Sequence, residues 1–190
     1  MSMNKFAVAA AIAISALAFS GSANAVILTG STGANSVTDY SEAGLVSFDL
    51  DLHDFSTTTL NFVLEEGDLA GPLSFNAIVR NLVGLSMYQF SFVLQGIGYA
   101  APGSVDSFSG AQASHTSNTA VVKFPLGETT DLLFGNPTLV DGSSDWLLDT
   151  TGLSAGDSFS IVAQVPEPST VAMMLPLMAG LLLARRRKRD

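Results

Sequence analysis

An all-β fold, an antiparallel sandwich of roughly eight to ten short strands, is what this 190-residue sequence predicts. Three observations carry it. Apolar side chains recur at every second position in run after run, which suits a pleated surface with one buried face. Gly, Pro, Asn and Ser clusters such as APGS, GNP and DGSSD separate those runs. No stretch between residues 26 and 165 carries the 3.6-residue period of an amphipathic helix. No repeat of 20 to 50 residues is visible either, which argues against a solenoid or propeller.

The strands follow in order. In VSFDLDLHDF, Val46, Phe48, Leu50 and Leu52 fall on one side, and Ser47, Asp49, Asp51 and His53 on the other. TLNFVLEE continues with Leu60, Phe62 and Leu64, and SFNAIVRNL follows the Gly71-Pro72 turn. MYQFSFVLQGI is the strongest: Tyr88, Phe90, Phe92 and Leu94 are expected to point one way, and Gln89, Ser91 and Gln95 the other. Shorter strands are expected at Val105 to Phe108, Ala120 to Phe124, Leu132 to Phe134, Trp146 to Leu148 and Phe159 to Val165.

Two apolar segments flank this region. Residues 1–25 combine Lys5, an apolar run from Phe6 to Phe19 and the Ala23-Asn24-Ala25 series, the three parts of a secretory signal peptide cleaved after Ala25. Its fourteen residues are too few to span ~30 Å of hydrocarbon. The export this implies would use the Sec translocon and signal peptidase. At the other end, residues 169–184 would rise only about 24 Å as a helix and contain Pro176. Arg185, Arg186, Arg187, Lys188 and Arg189 follow directly, as a cytoplasmic stop does under the positive-inside rule.

Charge separates the same three parts. The whole chain has a formal net charge of −9, yet residues 26–165 hold fifteen acidic residues against Arg80 and Lys123 alone, a net −13. Such a surface repels phosphate backbones, so nucleic acid is not an expected partner. There is no cysteine; an exported domain must then be held by its core or by bound ions, and a thiol nucleophile is excluded.

The C-terminal series resembles a known family. Val165-Pro166-Glu167-Pro168-Ser169-Thr170, the apolar run Val171 to Ala184 and the basic cluster look like the PEP-CTERM sorting signal of Gram-negative bacteria that make exopolysaccharide. The resemblance implies recognition of Pro166, Glu167 and Pro168 by an exosortase, a membrane-embedded processing enzyme. It also implies a temporary inner-membrane span over 169–184 with the basic tail 185–190 retained inside, and final delivery to the cell surface or extracellular matrix. It covers about 25 residues and says nothing of the domain between. Pro-Glu-Pro is itself confined to extended backbone, as a processing cleft requires.

Within 26–165 the sequence points to no definite chemistry, and no cofactor is expected. Both histidines, His53 and His115, lack a G-x-S-x-G partner motif. A secreted hydrolase would need one of them beside a serine and a carboxylate. Calcium is a weaker alternative, for which Asp141, Asp145 and Asp149 in DGSSDWLLD and Glu65, Glu66 and Asp68 in EEGD are candidate ligands. Neither series fits an EF-hand loop. A lectin-like sandwich binding exopolysaccharide would use exposed aromatics; Trp146, then Tyr40 and Tyr99, are candidates. The expected role is therefore non-enzymatic, structural or adhesive in the exopolysaccharide or biofilm matrix.

Overall fold

The computed structural model describes residues 25–166 and shows an all-β sandwich of two sheets. Thirteen strands form it: β1 (Ile27–Thr32), β2 (Ser36–Asp39), β3 (Leu45–Leu52), β4 (Thr58–Val63), β5 (Leu73–Asn81), β6 (Met87–Gln95), β7 (Gly98–Ala101), β8 (Val105–Ser107), β9 (Gln112–His115), β10 (Thr119–Glu128), β11 (Asp131–Phe134), β12 (Trp146–Asp149) and β13 (Ser158–Gln164). The alternation-rich runs all became strands. The additional ones, β1, β2, β7 and β9, are Gly-, Ser- or Thr-containing segments with few buried side chains, so alternation does not mark them.

The first sheet runs β1-β4-β13-β6-β10-β9 and is antiparallel throughout. The second runs β2-β3-β5-β11-β8, with β12 and β7 continuing beside the first half of β5. Here one expectation is corrected, because β3 and β5 pair in parallel over eight positions, Leu45↔Ser74 to Leu52↔Asn81. The chain leaves β3 for the other sheet, forms β4 and returns as β5; a crossover of that kind is what a parallel pair needs.

Burial follows the pleat. β3 alternates half-buried and buried along its length, with Val46, Phe48, Leu50 and Leu52 inside. Eight of the twelve phenylalanines, Phe48, Phe62, Phe75, Phe90, Phe92, Phe124, Phe134 and Phe159, are buried between the sheets. Phe92 meets Phe48, Phe90 and Phe134 edge-on at 5.9, 4.8 and 4.9 Å, the geometry that the ring quadrupole favours. Each such buried ring contributes about 1.5–3 kcal/mol, and this core replaces the missing disulfides.

Tyr88 departs from its expected inward position and is 59% exposed. The β6–β10 register breaks between Lys123 and Glu128, beside Tyr88, so the alternation lapses there: Met87 is buried in the core and Tyr88 meets solvent.

Candidate functional site

Five segments carry the chain from one sheet to the other at the same end of the sandwich: 33–35, 53–57, 82–86, 108–111 and 129–130. β13 also ends there. It lies inside the first sheet, paired with β4 on one side and β6 on the other, its last residues in register as Ala163↔Thr58 and Gln164↔Ser91. Val165 is buried and Pro166 is exposed. Proline lacks the N–H that a further ladder position would need, so the strand stops at this rim.

The rim is tied together by buried polar groups. Glu128, 1% exposed, accepts at Oε2 from Ser109 N at 3.0 Å and Ser109 Oγ at 2.9 Å. Its Oε1 accepts from Thr129 N, Thr130 N and Thr130 Oγ1 at 2.9, 2.8 and 2.7 Å. Burial alone would raise this carboxyl, but the donors from Ser109 and Thr130 outweigh it and hold the group down at about 2. Asn81 donates to Leu85 O at 2.8 Å and to Glu128 O at 2.9 Å. Asn35 accepts from His53 N at 2.8 Å and donates to Thr58 Oγ1 at 2.9 Å. Three side chains thus hold the sheet crossings in place.

Around these groups the surface exposes several large apolar side chains. Leu82, Leu85, Tyr88, Phe108 and Leu126 are 55, 62, 59, 91 and 82% exposed. Their loops are adjacent: a Cβ on Gly127 would lie 3.2 Å from Tyr88 Cε1 and 2.9 Å from Ser86 Cβ, while Ser109, next to Phe108, is bonded to Glu128. Gly127, at φ +77°, makes that approach without a side chain. These residues are not legible as a site, because exposed leucines in short loops leave no pattern; only the acid in VVKFPLGETT, followed by two threonine donors, hints at a buried carboxylate.

The sequence candidates lie elsewhere. The two calcium series are engaged differently. Asp145 directly precedes β12 and Asp149 ends it, about 13 Å apart along the chain, and Asp141 is exposed in the loop before it. Asp145 Oδ1 instead accepts from Asn76 Nδ2 at 3.0 Å and Asn136 N at 2.8 Å. Asp149 closes a turn on Thr151 N, and that bonding holds it below its ordinary value. Asp68 is 1% exposed and accepts from Gly44 N and Glu65 N, both at 2.9 Å. It completes a capping box with Glu65 around the 3-10 turn Glu66–Leu69, leaving Glu66 exposed. Among the described residues, no three His, Asp or Glu side chains are grouped to hold a metal ion.

His53 Nε2 lies 3.0 Å from Ser36 Oγ on the surface. No carboxylate is hydrogen-bonded to its ring among the described residues, and neighbouring Asp54 is engaged by Ser56 N and Oγ. His115 is exposed, its ring edge-on to Trp146 at 5.7 Å. Trp146 is 1% exposed, stacked on Phe134 at 4.6 Å, with Nε1 donating to Ser104 O. It belongs to the core and offers no face to a sugar. Tyr99 is 9% exposed, and burial pushes its hydroxyl well above the usual range. Tyr40 is exposed. Ala25 is half-buried ahead of β1. Ala23, Glu167, Pro168 and the segments 169–184 and 185–190 lie outside the described residues.

What the fold and this geometry define is a two-sheet all-β domain whose chain exits at a hydrogen-bonded, apolar rim. No protein-family profile matches the chain, and neither a curated protein nor a solved structure is similar to it.

Proposed function

We propose that this is an exported, non-enzymatic protein of the cell surface or extracellular matrix, structural or adhesive in role, delivered by an exosortase that reads Pro166-Glu167-Pro168. The observation that carries the reading is the ordered series from 165 to 189, a Pro-Glu-Pro triplet, a marginal apolar span and five basic residues, joined without a linker to β13. Pro166 is exposed at the end of a strand held on both sides, which supports access of a processing enzyme to an extended segment. The apolar run 169–184 needs to hold only until processing, and the arginines keep it in place meanwhile.

Deleting residues 166–190 should release the protein from its surface or matrix location and abolish the mass change between its precursor and mature forms. A deletion variant that reaches the same location, from a parent whose own C-terminus is never shortened, would refute the reading.

A further inference from the structure

We propose that the exit rim is a lipid-docking surface: while the tail is embedded, Leu82, Leu85, Tyr88, Phe108 and Leu126 rest in the headgroup layer of the bilayer and set the domain upright on it. The inference rests on the reading of 169–184 as a membrane anchor and adds to it a second point of membrane contact.

Chain length makes the first argument. Pro166 lies at the rim, and three residues, 166 to 168, separate the buried Val165 from residue 169, where the segment read as the span begins. Fully extended they reach about 10 Å, and the headgroup layer is itself roughly 5–8 Å thick. The loops around Pro166 therefore lie at the lipid interface wherever the run enters it. Those loops expose large apolar side chains, Phe108 at 91% and Leu126 at 82%, and Tyr88 adds an aromatic ring with a polar tip, the type enriched at membrane interfaces.

Charge makes the second. The five rim segments carry one exposed carboxylate, Asp54, and Asp131 is exposed directly after them; Glu128 nearby is buried and satisfied. The opposite end, built from 40–44, 64–72, 96–97, 116–118 and 150–157, carries Glu42, Glu65, Glu66 and Asp157 besides the buried and satisfied Asp68. β3, eight residues long, puts the two ends about 26 Å apart, beyond the ~8 Å screening length at physiological salt. Repulsion between the −13 domain and anionic lipid is thus concentrated away from the rim. Of the two basic residues here, Arg80 is taken by Asp49 and Asp51, while Lys123 is exposed and in register with Gln89, next to Tyr88.

The absence of cysteine allows single labels. Phe108→Cys, Leu126→Cys, Ala43→Cys at the far end and Leu182→Cys in the tail would each carry a polarity-sensitive fluorophore, in the full chain reconstituted into phosphatidylethanolamine/phosphatidylcholine vesicles. Expected are blue-shifted emission at 108, 126 and 182, quenching there by spin-labelled lipid, and loss of quenching by aqueous iodide, with the reverse at 43. If 182 reports lipid while 108 and 126 behave like 43, the docking surface is overturned and the anchor stands. If 182 is aqueous, both fall. Shielding at 108 and 126 that grows with protein-to-lipid ratio, without lipid quenching, would assign the rim to a second copy and overturn the proposal.

Discussion

The two ends of the sandwich solve the same structural problem and present opposite surfaces. At each, a buried carboxylate gathers loop donors. At the far end Asp68 accepts two backbone N–H groups and fixes the 64–72 crossing; at the exit rim Glu128 accepts five bonds from the segments around 109 and 129–130. Outside these hubs the far end displays Glu42, Glu65, Glu66 and Asp157 beside Tyr40, whereas the rim displays leucines, Tyr88 and Phe108 beside Asp54 and Asp131. Closing the loops requires a satisfied polar hub; it does not require an apolar exterior. The exterior difference is therefore free to serve a purpose other than folding.

The comparison breaks first at the hubs. Glu128→Gln places an NH2 group against donors on one side of the former carboxylate and removes the charge, and should cost about 3 kcal/mol in denaturant unfolding. Asp68→Asn loses one of two bonds and should cost about 1–2 kcal/mol. If Asp68→Asn proves the more damaging, the rim is not the more tightly tied end.

Acid sharpens the same point. The folded-state value of Glu128, about 2, lies below its ordinary 4.5. The stability it contributes is then complete above about pH 4.5 and is lost as the pH falls from there toward 2. Denaturation midpoints measured at about pH 6 and about pH 3 should therefore converge between the parent and Glu128→Gln. A difference that stays constant would mean that the carboxylate's hydrogen bonds are not what holds the rim.

The smallest expected effect lies at the surface. Phe108→Ser with Leu126→Ser should leave unfolding within about 0.5 kcal/mol of the parent, since both side chains are exposed. A loss of several kcal/mol would make these residues structural and remove the contrast between the ends.

Much of the fold is legible in the residues themselves. Val46, Phe48, Leu50 and Leu52 alternate with Ser47, Asp49 and Asp51, and burial follows that alternation to the residue. Strand direction is not: the parallel β3–β5 pair has the same side-chain period as an antiparallel one, so only the crossover through β4 distinguishes it. Tyr88 shows where alternation ends as a guide, because beside the β6–β10 register break Met87 takes the buried place and Tyr88 faces solvent. The rim was illegible for a related reason. Glu128 is satisfied partly from Ser109, nineteen residues earlier, and Asp145 and Asp149, close in sequence, are set about 13 Å apart by the extended rise of β12.

The placement of β13 inside its sheet has a mechanical consequence. A pull applied at residue 166 runs along the strand axis and meets the ladders to β4 and β6 together, eleven register pairs, six on one side and five on the other. Loaded in shear, these pairs must slip as a set, whereas an edge strand peeled from its end would yield one pair at a time. Drag on the domain is thus borne by the strongest axis of the sheet, and rupture under force is governed by the rate of that concerted step, not by equilibrium stability.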